Sequence, residues 1–251
     1  MPIPPLRLWP RVAVTVLVTL GATLIQGPVM IIVGMLGYRG LFNWKVSRVW
    51  AWAISKGLGM SVTLNGAEHF EKGRSYILVP NHQSNADIIA LLESIPVPFH
   101  WVVKESLLKI PLFGPSVAAS GAISVNRSDS RQAVEQLRKG SNKLRDGWSI
   151  LIYPEGTRTA DGNLQPFKKG AFRMAISTGI PLLPITVNGA FKILPKHTLN
   201  VRGGHVTITV SAPIQTEGLT EDALPELMEK TRQAILTHFD PDFDPFGKNC
   251  A

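Results

Sequence analysis

Cysteine is almost absent from this 251-residue chain: Cys250 stands alone. No intramolecular disulfide is possible, and zinc sites built from cysteine pairs are excluded with it. Charge is also scarce, at 18% of residues against about a quarter in typical soluble proteins. No stretch is both polar and charge-rich, so the composition excludes an intrinsically disordered chain. Acidic residues are missing altogether from positions 1–60, which carry Arg7, Arg11, Arg39, Lys45, Arg48 and Lys56. Six of the eight excess positive charges therefore lie in the first quarter, and positions 61–251 are close to neutral. A nucleic-acid-binding domain carries its basic patch on the folded body, so nucleic acid is not an expected partner. Neither a Gly-x-Ser-x-Gly elbow nor a second histidine at ligand spacing occurs, which argues against a serine hydrolase and against a metal enzyme.

What is present begins with an apolar run. Val12 to Tyr38 is uncharged over 27 residues, long enough as one helix to exceed the roughly 30 Å hydrocarbon core of a bilayer. Gln26-Gly27-Pro28 interrupts it, which predicts two short helices, Val12 to Ile25 and Val29 to Tyr38, folded as a hairpin dipping into one leaflet. A single kinked spanning helix and a signal peptide are the alternatives. Basic residues flank both ends, so the positive-inside rule does not choose a side. The run is long for a signal peptide, and no clear cleavage site follows it. The next segment, Leu41 to Met60, places Lys45, Arg48 and Lys56 on one side of a helical wheel and Val46, Trp50, Ala53 and Ile54 on the other. That pattern suits either an interfacial helix with its cations near headgroups or an ordinary surface helix with Trp50 in the core.

From Ser61 onward short apolar runs alternate with helical patterns, the mark of an α/β layer architecture. Strands are expected at Tyr76–Val79, His100–Val103, Ala122–Val125, Ser149–Tyr153, Leu182–Val187 and Val206–Val210. Helices are expected at Ser84–Ile95, Ser130–Asp146, Phe167–Thr178 and Thr220–Phe239, the last with Pro225 in its first turn. The fold class is thus α/β, a mixed central sheet flanked by helices, with an N-terminal membrane-embedded helical hairpin. Residues 1–60 are expected to form the membrane-associating helices and 61–251 the α/β domain.

Chemistry-bearing residues gather at the carboxyl ends of these strands, where open α/β sheets place their sites. His82 precedes Asp87 by five residues at a strand-to-helix turn. A carboxylate there can hold one ring nitrogen and leave the other to accept a proton from a hydroxyl. Asp87 also completes a Ser84-x-x-Asp87 capping pattern, so a purely helix-capping role is open. Pro154-Glu155-Gly156-Thr157-Arg158 follows a strand, Gly121 to Arg127 ends on a second arginine, Lys104 follows a third strand, and Ile180-Pro181-Leu182-Leu183-Pro184 opens another. For any one cation, a surface ion pair explains it equally well.

Taken in order, these segments resemble the glycerolipid acyltransferase family, in particular its bacterial 1-acyl-glycerol-3-phosphate acyltransferases. All four family blocks are matched: NHxxxxD at Asn81 to Asp87, GxIxxxR at Gly121 to Arg127, EGTR at Glu155 to Arg158, and apolar-Pro-x-x-Pro at Ile180 to Pro184. Phe167-Lys168-Lys169-Gly170 matches a further stretch. The resemblance implies transfer of a fatty acyl group from acyl-CoA or acyl-carrier protein to the 2-hydroxyl of lysophosphatidate, giving phosphatidate. It implies His82 and Asp87 as the catalytic pair, and Lys104, Arg127 and Arg158 as binders of the acceptor phosphate. Asn81, Glu155, Gly156, Thr157, Lys168 and Lys169 would support them, with Glu155 orienting a cation and amides near Gly156 meeting the oxyanion. The thioester is a co-substrate, and no metal or cofactor is implied. Membrane lipids are the implied partners, at the inner membrane with the catalytic domain facing the cytoplasm. The same fold acting on another lysolipid, or a non-catalytic domain that binds anionic lipid, would carry much of the same pattern.

Overall fold

The computed structural model describes residues 5–37, 40–196 and 198–247; Tyr38, Arg39 and Cys250 lie outside them. Two helices come first, α1 (Trp9–Met35) and α2 (Leu41–Leu58). Seven strands follow, interleaved with six helices: β1 (Met60–Asn65), β2 (Ile77–Pro80), α3 (Asn85–Ser94), β3 (Phe99–Lys104), α4 (Phe113–Ala119), β4 (Ile123–Val125), α5 (Ser130–Gly140), β5 (Ser149–Leu151), α6 (Gly170–Thr178), β6 (Leu182–Asn188), α7 (Ala190–Ile193), β7 (Gly204–Val210) and α8 (Leu224–Leu236).

The strands form one sheet in the order β1-β7-β6-β2-β5-β3-β4. All neighbours pair in parallel except β6 and β7. The central strands β2, β5 and β6 are wholly buried and read as near-continuous apolar runs, as expected for strands covered on both faces. Their alternate side chains serve two cores. Leu78, Leu151 and Leu183 pack with α2, α3 and α7, whereas Ile77, Ile150 and Leu182 pack with α6 and α8. This is the mixed α/β sheet read from the sequence. Strand β1 escapes the sequence pattern, because beyond the buried Met60 it alternates exposed with half-buried positions at the sheet edge and offers no continuous apolar run.

The N-terminal segment differs from expectation. Helix α1 runs unbroken through Gln26-Gly27-Pro28, with Pro28 inside it, where the sequence predicts two short helices. Proline removes one intrahelical bond and ordinarily breaks or kinks a helix, but packing against neighbours can hold the turn together. Here Gly27 is that packing point. A Cβ on it would lie 2.7 Å from Leu112 Cγ, so the missing side chain admits the chain leading into α4. The Gln26 side chain reaches Met30 Sδ across the same turn at 2.7 Å.

The hairpin is made of α1 and α2 instead. They run antiparallel, with Thr15 Oγ1 donating to the Gly57 carbonyl (2.9 Å) and Trp50 Nε1 donating to Thr23 Oγ1 (3.1 Å). Among the described residues, only the stretch Leu6–Met35 is helical, long and apolar enough to cross a membrane. Its outer face exposes Leu17, Leu24, Ile25 and Ile32. The face opposite Val46 and Trp50 on α2 is not simply cationic. Arg48 turns inward, lies over the Trp44 ring, and donates to the carbonyls of Glu93 (2.7 Å) and Ile95 (3.0 Å) at the end of α3. Those are terminal helix carbonyls, which a cation satisfies well. Ala51, Ile54 and Leu58 of α2 enter the same core cluster as β2 and α3.

Candidate active site

Strand β2 delivers Asn81 and His82 at its carboxyl end. Asn81 extends the sheet with its side chain: its Nδ2 donates to the Val187 carbonyl (3.0 Å) and its Oδ1 accepts the Val187 amide (2.7 Å). These two bonds tie the end of β2 to β6. The chain then enters α3 through Ser84, which accepts from the Ala86 amide (2.9 Å) and donates to the Leu194 carbonyl (2.7 Å).

Asp87 meets both the start of α3 and the histidine ring. Its Oδ2 accepts the amides of Gln83 (2.7 Å) and Ser84 (2.8 Å), completing a capping box, and lies 3.1 Å from His82 Nδ1. The carboxylate is fully buried and the imidazole nearly so. An ionised Asp87 accepts only, so the contact assigns the Nδ1–H tautomer, in which Nε2 of the neutral ring has a lone pair. The second oxygen, Oδ1, accepts the Tyr153 hydroxyl (3.0 Å), and the Tyr153 ring stacks on His82 with centroids 3.6 Å apart and planes at 12°.

The loop after β5 wraps the same histidine. Glu155 Oε1 accepts the His82 amide (2.6 Å), its Oε2 accepts the Gln165 amide (2.9 Å), and the Thr159 amide donates to the His82 carbonyl (2.9 Å). Glu155 therefore anchors two loops instead of orienting a cation. Burial drives its carboxyl up to about 7, outweighing the two amide bonds that pull it down. Gly156 sits at φ +70, where a side chain is disfavoured. Its amide already donates to the Tyr153 carbonyl (3.1 Å), so it is not free to meet an oxyanion, and its carbonyl accepts Arg127 Nη1. Thr157 is exposed on the loop.

His82 lines a cavity of about 360 Å³ together with Lys104, Arg127, Arg158 and Tyr153. The three cations singled out in the sequence are thus brought to one space with the histidine. Its opposite wall is apolar or neutral, built from Thr23 and Met30 of α1, Trp50 of α2 and Phe113 of α4. Burial lowers the Arg127 guanidinium from its ordinary value. Lys168 and Lys169 lie elsewhere. They line a second cavity of about 450 Å³ between α5 and α6, which shares Arg127 and Tyr153 with the first. Among the described residues, no group of three or more His, Cys, Asp or Glu is placed to hold a metal ion.

Sequence reasoning misses Tyr153 and the helical wall. Tyr153 ends the expected strand Ser149–Tyr153 directly before Pro154-Glu155, and a side chain at a strand's carboxyl end beside a motif is the signal that could have found it. Nothing local in α1 or α4 marks their share of the cavity, because it arises from long-range packing.

A family model described as acyltransferase matches residues 61–188, which contain all four sequence blocks. Human 1-acyl-sn-glycerol-3-phosphate acyltransferase alpha is 30% identical over 202 residues, spanning 80% of this chain and 71% of that protein. The 1-acyl-sn-glycerol-3-phosphate acyltransferase of Saccharomyces cerevisiae is 34% identical over 206 residues, spanning 80% of this chain and 67% of that one. Among solved structures, the 1-acyl-sn-glycerophosphate acyltransferase PlsC from Thermotoga maritima shares the fold at a TM-score of 0.72 and 23% identity, over 93% of this chain and 98% of that chain. With a matched model over half its length and relatives of this identity and coverage, the chain belongs to the acyltransferase family.

Proposed function

We propose that the protein transfers a fatty acyl group from a coenzyme A or acyl-carrier-protein thioester to the 2-hydroxyl of 1-acyl-glycerol-3-phosphate, forming phosphatidate. The observation that carries this reading is the buried His82–Asp87 pair opening onto one cavity with three cations and an apolar wall. An anionic headgroup with a hydrocarbon tail has both complements there.

In the proposed reaction His82 Nε2 removes the hydroxyl proton as the oxygen attacks the thioester carbonyl carbon. The tetrahedral adduct collapses with cleavage of the carbon–sulfur bond, and the proton on Nε2 passes to the departing thiolate. Asp87 stabilises the imidazolium between these steps. Lys104, Arg127 and Arg158 hold the phosphate through charge-assisted hydrogen bonds, the arginines with a planar fork. Holding two substrates in line supplies much of the remaining rate. Names borne by the relatives support the acceptor; the thioester donor is inferred from the reaction chemistry.

Residues 1–60 are proposed to associate with the inner membrane and 61–251 to carry the chemistry on its cytoplasmic side, where thioester donors occur. The exposed apolar face of α1 supports the membrane association. The decisive experiment crosses acyl-CoA and acyl-carrier-protein donors with lysophosphatidate, monoacylglycerol and zwitterionic lysolipids, using purified enzyme. Efficient use of lysophosphatidate with little turnover of monoacylglycerol is expected; preference for a zwitterionic acceptor overturns the assignment. For topology, Cys250→Ala combined with Arg7→Cys should resist impermeant thiol reagents in intact cells if both helix ends stay on the cytoplasmic side.

A further inference from the structure

Each oxygen of the Asp87 carboxylate has a different set of partners. Oδ2 is shared by His82 and two amides, whereas Oδ1 has the Tyr153 hydroxyl as its hydrogen-bond partner. The same tyrosine lays its ring on the imidazole face. We infer that Tyr153 is a positioning residue for the His82 base: its hydroxyl sets how strongly Asp87 holds the imidazolium, and its ring, stacked on the imidazole face, restrains the imidazole's rotation. This rests on the acyl-transfer reading above and adds a residue that no sequence block contains.

The coupling runs through Oδ1. A hydroxyl donated to a buried carboxylate stabilises the negative charge and draws it away from the imidazole. Removing it leaves the buried Oδ1 without its partner, and the cheapest compensation is a proton kept on His82. The phenol is suited to the task because burial, and next the Asp87 charge, hold its own ionisation above the ordinary tyrosine value, so it remains a donor. Ring stacking limits rotation about the bond to the imidazole, which a capping carboxylate on one side alone would not.

Other charges face the pair. Glu155 holds the His82 amide from the loop after β5, and Lys104, Arg127 and Arg158 surround the cavity, while α1, α2, α3 and α4 bring neutral side chains to its wall. None of these is altered in Tyr153→Phe, which keeps the ring and deletes only the oxygen.

The test uses full-length enzyme in detergent, with the pH profile of kcat/KM and a nitrogen-15 NMR titration of the His82 ring, identified by its loss in His82→Ala. Tyr153→Phe should move both the acid limb of the profile and the ring titration to higher pH, on the order of half to one unit, and lower the plateau two- to fivefold. Tyr153→Leu, which also removes the ring, should lower kcat at least tenfold further. A ring titration that superimposes on wild type overturns the role of the hydroxyl, even if thermal stability falls. Equal kcat for the Phe and Leu variants overturns the role of the ring. The NMR titration does not depend on turnover. If His82→Ala stays active while Tyr153→Phe still shifts the ring titration, the base assignment fails and the coupling stands.

Discussion

His82 Nδ1 shares a single oxygen of Asp87 with the amides that start α3, at 3.1 Å from the imidazole and 2.7 and 2.8 Å from the amides. One carboxylate oxygen therefore connects the beginning of a core helix to the ring proposed as the base. Helix packing sets the carboxylate's position, and the carboxylate sets the ring's.

His82→Ala is expected to reduce acyl transfer by about 10² to 10⁴ while leaving the fold intact, since a general base contributes that much. Asp87→Asn should lose activity and also lower stability, because a neutral amide no longer gives the Gln83 and Ser84 amides a charged acceptor. Steady-state rates read beside thermal melts separate the two effects. An Asp87→Asn enzyme that is fully active but melts early would leave Asp87 with the capping role alone.

Arg158→Ala should cost roughly ten- to 150-fold in use of lysophosphatidate, the equivalent of about 1.5–3 kcal/mol for a charge-assisted contact. Arg158→Lys should recover part of that, because an ammonium keeps the charge without the fork. Arg127→Ala should do more, because Arg127 also braces the Gly156 carbonyl and so the loop that holds His82. Acceptor KM measured at saturating donor reports these changes; an effect on donor KM alone would transfer the cations to the phosphates of the donor.

Glu155 gives a dependence of stability on pH. Its carboxyl is raised from 4.5 to about 7 in the folded protein, so between those values the folded state holds more of this proton than the unfolded chain. Stability from this group is therefore fully present below about pH 4.5, falls as pH rises, and reaches its low plateau above about 7. The span is at most about 3 to 4 kcal/mol, from about 1.36 kcal/mol per unit. Glu155→Gln should flatten the slope of melting temperature against pH in that window. An unchanged slope would show that another group sets it.

Gly27→Leu should displace Leu112 and with it α4, destabilising the protein by about 1–3 kcal/mol through overpacking, although glycine is the poorer helix former. Because Phe113 and Met30 share the cavity wall, acceptor KM should rise as well. Gly21→Leu, at a position with open space around it, is the matched control and should do neither.

Residues that act through near neighbours in the chain are legible in the sequence alone. His82 and Asp87 meet because five residues separate them across a strand-to-helix turn, and the sheet follows from apolar runs of strand length. Residues that act through distant packing are not. Gln26-Gly27-Pro28 has every local sign of a break, yet Leu112, far along the chain, fills the space above Gly27 and the helix continues. Arg48 reads as one of three surface cations until α3 places its last carbonyls beside it. Glu155 reads as a partner for cations because carboxylates usually are, whereas two backbone amides claim it once the loop folds over His82.

Helix α2 is packed against α1 on one side and built into the core on the other, through Ala51, Ile54 and Leu58. With α1 in lipid, as proposed, the histidine cannot swing toward or away from the bilayer: it works at one altitude. The acceptor must bring its hydroxyl up to that level while its tail stays in the leaflet. Headgroup height then becomes a criterion of selection alongside headgroup charge, and a lysolipid with the right phosphate but a longer or shorter linkage to its free hydroxyl would be rejected by misalignment.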